Sequence, residues 1–296
     1  MKAVWSLWTK PLRSDVPVMG WGGLHYHLMS WVLSLHSCRR FFETTELITD
    51  ARGAELLIDG LGLQFDRVTL GLDDLDEEHA ERWAIGKLHA YRAQTEPFIH
   101  LDSDLYLWQD LPARLRTAPV LTAYPEYSGF GFQAHNVTSF KLEIERSGGR
   151  LPPELAEHRV SRRGFTSCNC CMVGGQRADF VSYYADLTLD MIADPANATA
   201  LENRQSNLDD MLLFEQHMIH ACIDYHRRQQ DGPFAGLSMS YLFRDEDDAR
   251  DNAGTRGFTH LIGGLKRDQR ILDRLARRVQ ADHPIHYERC MALAPA

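Results

Sequence analysis

Two aspartates stand two residues apart at the end of a short apolar run, in the sequence FIHLDSD. Such a run before an abrupt acidic pair is typical of a buried parallel strand that ends at its polar edge. Because side chains at positions i and i+2 of an extended segment point the same way, Asp102 and Asp104 are expected to converge. Two hard oxygen ligands suit Mg²⁺ or Mn²⁺, with substrate phosphates completing the coordination shell. A solvated turn or a helix N-cap remains the alternative, since an isolated Asp-x-Asp is common.

A second stretch, FTHLIGGLK, brings a histidine, two glycines and a lysine into one expected loop. The imidazole of His260 can join two carboxylates on Mn²⁺. Gly263 lets backbone amides approach a phosphate, and Lys266 supplies a positive charge to a diphosphate. Alone, His260 would read as an ordinary surface or core histidine. Together with the two aspartates, the stretch indicates a site for a metal ion and a diphosphate.

The elements that must position these residues alternate between strand and helix patterns. The expected strands lie at 1–8, 46–50, 65–70, 98–101, 120–124 and 165–173, and the expected helices at 24–42, 53–58, 81–94, 178–192 and 207–225. This alternation predicts a doubly wound α/β fold with a largely parallel central sheet. Trp21 falls in a Pro/Gly-rich loop before the first helix, where we expect it to be exposed.

The composition is that of one large folded domain. The 296 residues are 44% hydrophobic and 25% charged, so the chain can bury a sizeable core, and we expect a single domain over 1–296. The region 125–164 is aromatic and Gly-rich at first and then polar, which indicates an insertion. A basic amphipathic helix is expected at 265–280; it either packs on the sheet or contacts a membrane surface peripherally.

Charge and hydropathy exclude several classes of partner. The net charge of −9 argues against nucleic acid, which requires a clustered basic surface. No stretch approaches the roughly 18 to 20 apolar residues of a membrane span. The N-terminus resembles a first strand more than a signal peptide, so we expect a cytoplasmic protein. Cys168, Cys170 and Cys171 have no second cluster at zinc spacing, and we expect them to be reduced and buried.

On its two motifs, the chain resembles the GT-A-fold glycosyltransferases, and its His-x-x-Gly-x-x-Lys spacing is most similar to the retaining enzymes of glycosyltransferase family 8. The resemblance covers most of the chain and implies a Rossmann-like GT-A fold, with a mostly parallel central sheet flanked by helices. It implies that Asp102, Asp104 and His260 hold Mn²⁺, or Mg²⁺, against the diphosphate of a nucleotide-sugar donor. Gly263 and Lys266 would close over that diphosphate.

The same resemblance suggests roles for five further residues. Asn169, in a segment where cysteines replace the family's small residues, would lie beside the donor sugar. Asp209 stands where the family usually has an amide near the reaction centre. Lys87 would face the donor, although a solvated lysine is an equal alternative. Asp50, at a strand end, is a nucleotide-binding candidate or a helix cap, and Lys10 is a further nucleotide candidate.

The sequence therefore predicts a metal-dependent, hexosyltransferase-like enzyme. It would move a sugar from a nucleotide-diphosphate sugar, by resemblance a UDP-sugar, to an acceptor with retention of configuration. The acceptor is a glycan, a protein or peptide, or a small molecule. Two alternatives remain: a sugar-phosphate nucleotidyltransferase, and a non-catalytic module that binds a nucleotide sugar or a partner on the same fold.

Overall fold

The computed structural model has the mixed α/β architecture that the alternating patterns predicted, with a central, mostly parallel sheet of seven strands flanked by helices. It describes residues 1–13, 18–75, 83–128, 132–159, 165–202 and 212–294. The chain divides into two compact units, which are described in turn. The first comprises Met1–Ala80, Ile99–Leu111 and Asn252–Ala296, and the second comprises Glu81–Phe98 and Pro112–Asp251.

Short strands and helices alternate along most of the described chain. The strands are β1 (Lys2–Leu7), β2 (Thr45–Thr49), β3 (Arg67–Thr69), β4 (Phe98–Leu101), β5 (Leu105–Leu107), β6 (Val120–Thr122), β7 (Pro125–Ser128), β8 (Phe165–Cys168), β9 (Met172–Gly175), β10 (Met239–Tyr241) and β11 (Phe258–His260). The α-helices are α1 (Leu24–Cys38), α2 (Ala51–Ala54), α3 (Ala84–Arg92), α4 (Ala113–Arg116), α5 (Phe132–Arg146), α6 (Pro153–Ala156), α7 (Ala178–Ala193), α8 (Ala198–Glu202), α9 (Met218–Arg228), α10 (Glu246–Asn252), α11 (Gln269–Asp282) and α12 (Pro284–Leu293).

The first unit is built on four neighbouring strands of the central sheet, in the order β4-β1-β2-β3. β1 pairs in parallel with β2, and β2 pairs in parallel with β3. All five residues of β2 are buried, as expected for a parallel strand covered on both faces. Helix α1 packs against β5 and against the C-terminal helices α11 and α12, and it buries Leu28, Val32 and Leu35 completely.

The second unit contains three strands of the central sheet, in the order β10-β6-β9, and a separate antiparallel pair of β7 and β8. β6 pairs in parallel with β10 and antiparallel with β9. The single strand predicted at 165–173 is wrong, because the chain changes partners between β8 and β9. Asn169, Cys170 and Cys171 lie in that gap, where the Asn169 amide donates to the Tyr124 carbonyl at 2.8 Å.

The start of the helix expected at 265–280 differs from the prediction because a side chain caps the helix at a later residue. Helix α11 begins at Gln269, later than the position 265 predicted for it, because the Asp268 side chain accepts hydrogen bonds from the first backbone amides of the helix. Lys266 therefore lies in a 3₁₀ turn, Gly263–Arg267, that precedes the helix. The segment 125–164, predicted as an insertion, contains β7, α5 and α6.

All six cysteines are buried and none forms a disulfide, as the sequence predicted for the central cluster. Burial raises the pKa of Cys168 to about 12, so the thiol is protonated at neutral pH and behaves as a small apolar group. Among the residues that the structure describes, no helix combines the length and apolar character needed to cross a membrane.

Candidate active site

The turn between β4 and β5 carries both motif aspartates. The Leu105 amide donates to the Asp102 carbonyl at 3.1 Å, which closes the turn. The two aspartates therefore lie in a turn. Their convergence was predicted from an extended strand end, which is not the conformation that the chain adopts here. β11 pairs antiparallel with β5, placing His260 opposite Leu105, and the Leu261 amide donates to the Asp104 carbonyl at 3.0 Å. This pairing brings the histidine to the aspartates.

The three ligand-type side chains meet at one point of the first unit. One carboxylate oxygen from Asp102, one from Asp104 and a ring nitrogen of His260 lie within 4.8 Å of one another. Oδ1 of Asp104 is buried and makes no hydrogen bond to the described residues, although His260 Nε2 is 3.5 Å away. Burying a carboxylate oxygen without a hydrogen bond costs free energy, and a bound cation would offset that cost. Two carboxylates and an imidazole are ligands that suit a hard divalent cation.

Lys266 supplies the positive charge nearest to Asp104. Its Nζ lies 2.6 Å from Asp104 Oδ2 and 3.3 Å from the Met19 carbonyl, and it sits 5.6 Å from the centre of the Trp21 ring. Burial alone would raise the pKa of Asp104, but the charges of Lys266 and then His260 outweigh it and hold that pKa well below its usual range. The Asp104 carboxylate is therefore ionised at neutral pH and available as a ligand.

Two serines of α1 hold the backbone of the aspartate turn. Ser34 Oγ donates to the Asp102 carbonyl at 3.1 Å, and Ser30 Oγ donates to the Ser103 carbonyl at 2.6 Å. The Tyr106 hydroxyl lies 2.8 Å from Ser30 Oγ and can donate to it. Sequence reasoning missed this support. The available signal was a pair of serines one helical turn apart within residues 28–35 of the helix, which are otherwise apolar.

Three buried aromatic or imidazole side chains surround the turn. Trp21 is only 1% exposed, so the expectation of an exposed tryptophan is wrong; its ring packs near His27 and under Lys266. His100 Nε2 lies 2.9 Å from Ser6 Oγ, and its Nδ1 lies 3.9 Å from Asp102 Oδ1. His100 thus lies beside the Asp102 side chain on the core side, a contact that no sequence pattern indicated.

His27 should make the protein less stable in mild acid. Burial, followed by the positive charge of Lys266, lowers the pKa of His27 from its ordinary value of 6.5 to about 3, against the opposing charge of Asp104. The unfolded chain therefore takes up a proton below pH 6.5 that the folded chain refuses until about pH 3. Between pH 7 and pH 5 this costs about 2 kcal/mol of stability.

The measurement is denaturant unfolding at pH 7 and pH 5, for the wild type and a His27→Gln variant. Trp31 Nε1 donates to His27 at 3.1 Å, and glutamine retains an acceptor for that bond. We expect the variant to lose about 2 kcal/mol less than the wild type over this interval. An equal pH dependence would mean that His27 is not the proton-excluding group.

Three further predicted residues lie in the first unit. Asp50 is buried and caps α2, accepting from the Gly53 amide and from both the amide and the hydroxyl of Thr9, each at 2.8 Å. Lys10 donates to the Leu75 carbonyl. Gly263 has a left-handed φ of +54°, and a Cβ added there would meet no atom of the described residues within 4 Å. Its backbone is open to an approaching group.

Two predicted residues lie in the second unit, and one lies outside the described residues. Lys87 Nζ pairs with Glu215 Oε1 at 2.5 Å and sits 5.8 Å from the centre of the Trp83 ring. Asn169 is buried and its side-chain amide donates to Glu126 Oε1 at 2.8 Å. Asp209 falls in 203–211, which the structure does not describe.

Comparison with known proteins places the chain in a sequence family. The model of a family of unknown function, DUF6734, matches residues 1–293. None of the curated proteins matches the sequence. Two of the solved structures that resemble this chain are glycosyltransferases, and both resemblances are weak. The galactosyltransferase LgtC, in complex with donor and acceptor sugar analogues, has a TM-score of 0.40 and 8% identity over 93% of this chain and 96% of its own. Apo mouse xyloside xylosyltransferase 1 has a TM-score of 0.34 and 13% identity, and the match covers 82% of this chain and 86% of the xylosyltransferase chain.

Proposed function

The chain belongs to the family of unknown function DUF6734, and we propose that it is a glycosyltransferase that uses a divalent metal ion to bind a nucleotide-diphosphate sugar. One observation carries the proposal: Asp102, Asp104 and His260 converge around a buried carboxylate oxygen, and Lys266 contacts the same carboxylate. A metal-binding triad beside a lysine is an arrangement suited to a diphosphate.

Mn²⁺ or Mg²⁺ would be held by Asp102, Asp104 and His260. When bound, the ion supplies a Lewis acid that stabilises charge on the departing diphosphate. The three residues leave coordination positions for diphosphate oxygens, so metal and nucleotide should bind together. The serines Ser30 and Ser34 of α1 keep the aspartate turn in place, which lowers the free-energy cost of assembling the site.

Lys266 has two partners available to it in this scheme. Without a metal, its ammonium group compensates the buried Asp104 carboxylate at 2.6 Å. A divalent ion on Asp104 would repel that ammonium group, so metal binding would release Lys266 toward the diphosphate. Gly263, three residues earlier, gives the backbone of the same turn room to approach the phosphates. Lys266 would then stabilise the charge that develops as the anomeric bond breaks.

The finer features of the reaction follow from the sequence resemblance. We propose a UDP-sugar as the donor and retention as the stereochemical outcome, with the leaving phosphate accepting the acceptor's proton. Asn169 and Asp209 are proposed to steady the cationic sugar, and Lys87, Asp50 and Lys10 are proposed contacts of the donor. The acceptor is a glycan, a protein or peptide, or a small molecule, and the cytoplasmic location stays a prediction.

The test is to identify the product released from a panel of nucleotide sugars. The protein is incubated with Mn²⁺ and each sugar, with and without candidate acceptors, and nucleoside diphosphate and pyrophosphate are assayed separately. We expect nucleoside diphosphate from a UDP-sugar, and none with a chelator present. Pyrophosphate release from a sugar phosphate and a nucleoside triphosphate would identify a nucleotidyltransferase instead. Nucleotide-sugar binding without any turnover across acceptors would identify a binding module.

A further inference from the structure

Three histidines that the proposed site does not use converge in the first unit. His36 lies in the last turn of α1, His283 occupies the N-cap position of α12 without a side-chain capping hydrogen bond, and His286 lies in the first turn of that helix. One ring nitrogen from each lies within 4.8 Å of the other two, and all three side chains are partly exposed. The cluster is therefore open to a solvent ion and draws its members from two separate helices.

One ring nitrogen of this cluster, Nε2 of His36, is buried without a hydrogen bond to the described residues. The rings of His36 and His283 stack with their centres 4.1 Å apart, and the ring of His286 meets that of His36 edge-on at 5.1 Å. Buried polar atoms in folded proteins almost always have a partner, and a bound ion is one way to provide it.

A second contact resembles the support that metal-binding histidines require. The Gly62 backbone raises the pKa of His286 against the larger effect of burial, which indicates that the Gly62 carbonyl lies near the ring. A ring nitrogen that donated to this carbonyl would leave the other ring nitrogen available as a metal ligand. Histidines that bind metals characteristically donate their second nitrogen to a carbonyl or carboxylate in this way.

The protonation states of the cluster suit a metal ion, although three arginines, Arg39, Arg278 and Arg289, add positive charge nearby. Burial, then the neighbouring histidines and Arg39, lowers the pKa of His36 to about 4, and burial also lowers the pKa of His283 and His286. All three rings are thus neutral at pH 7, and a metal ion displaces no protons on binding. The C-terminal end of α1 attracts a cation, which offsets the opposite effect of the α12 N-terminus.

We propose that His36, His283 and His286 form a second metal site, distinct from the aspartate site, that binds Zn²⁺ and ties the start of α12 to the end of α1. Three imidazoles without a carboxylate suit Zn²⁺ and other late transition metals, whereas Mn²⁺ and Mg²⁺ prefer oxygen ligands. Zn²⁺ requires each ring nitrogen at ~2.0–2.1 Å, so binding would turn the stacked rings of His36 and His283 out of their parallel arrangement, with water in the fourth position. The inference does not depend on the proposed enzyme activity.

The test measures zinc bound by the full chain after equilibrium dialysis, together with the midpoint of thermal unfolding. The informative variants are His283→Asn, which retains a good N-cap residue, and His286→Gln, which retains a donor for the Gly62 carbonyl. Asp104→Asn disables the aspartate site, and His89→Asn removes a histidine of the second unit as a matched control. Co²⁺ absorption in the visible range reports nitrogen coordination independently of folding.

We expect one zinc per wild-type chain, retained in Asp104→Asn and His89→Asn and lost in His283→Asn and His286→Gln. At a hundredfold excess over its dissociation constant, Zn²⁺ should raise the unfolding midpoint of the wild type by roughly 5 °C and leave the two cluster variants unchanged. Equal zinc content in the wild type and in the folded cluster variants would overturn the proposal. So would the absence of zinc from the wild type.

Discussion

Replacing Asp104 with asparagine should lower turnover by about 10²-fold or more while the fold remains intact. The asparagine keeps the shape of the side chain but removes the charge that draws a divalent ion into the site. Asp104 is the only one of the three ligand-type residues that is buried, so its charge is screened least by solvent. The measurement is the rate of nucleoside diphosphate release at saturating Mn²⁺, compared with that of Asp59→Asn on an exposed surface.

A stability measurement separates loss of the charge from loss of the fold. Asp104→Asn leaves the Lys266 ammonium without its carboxylate partner, in a site where the two side chains are only 17% and 8% exposed. We expect about 2 kcal/mol of destabilisation, less than for a fully buried pair because Lys266 can turn toward solvent. The double variant Asp104→Asn/Lys266→Met should recover most of that stability and none of the turnover. Wild-type turnover in either variant would contradict a role for Asp104 in the reaction.

Replacing Lys266 with methionine should change the two binding affinities in opposite directions. Without the competing ammonium group, Mn²⁺ alone should bind about tenfold more tightly, because like charges repel and a net repulsion of about 1.4 kcal/mol is tenfold in affinity. A nucleoside diphosphate should bind about tenfold less tightly or worse in the presence of Mn²⁺, because a charged hydrogen bond to phosphate is lost. Turnover should fall with nucleotide affinity, since Lys266 meets the diphosphate in the reacting complex.

Two calorimetric titrations test these opposite changes in affinity: one with Mn²⁺ alone, and one with the nucleotide at saturating Mn²⁺. Arg267→Gln is the matched control: it removes a positive charge from the same 3₁₀ turn, but its side chain is exposed and hydrogen-bonds to the Gly20 carbonyl. The control should leave both affinities close to those of the wild type. If Lys266→Met weakened metal and nucleotide binding alike, Lys266 would be a structural support of the site and not a competitor for Asp104.

The sequence predicted six of the seven strands of the central sheet, because such strands are short apolar runs separated by helical periodicity, and it missed β10. The prediction of one strand over 165–173 failed because the chain changes pairing partners there. The run 165–173 has uniform strand character, and only the pairing of β8 with β7 and of β9 with β6 interrupts it at Asn169. Nothing in the side-chain pattern encodes that exchange of partners.

Residue types and spacing identified the aspartates and His260, whereas the geometry that unites them depends on contacts distant in sequence. The antiparallel pairing of β11 with β5 brings His260 to the turn, and α1 supports that turn through Ser30 and Ser34. Serines within an apolar helix read as ordinary packing residues until their partners are known. The burial of Trp21 likewise follows from its contacts with His27 and Lys266, which local composition could not predict.

The coupling of metal and nucleotide binding tests the central assignment most directly. UDP and the other common nucleoside diphosphates are titrated into the wild-type protein by calorimetry, once with Mn²⁺ and once with a chelator. If Asp102, Asp104 and His260 hold an ion that the diphosphate completes, at least one nucleotide should bind with Mn²⁺ and lose most of its affinity with the chelator. Equal affinity under the two conditions, or no binding of any nucleotide with Mn²⁺, would contradict the assignment of this site.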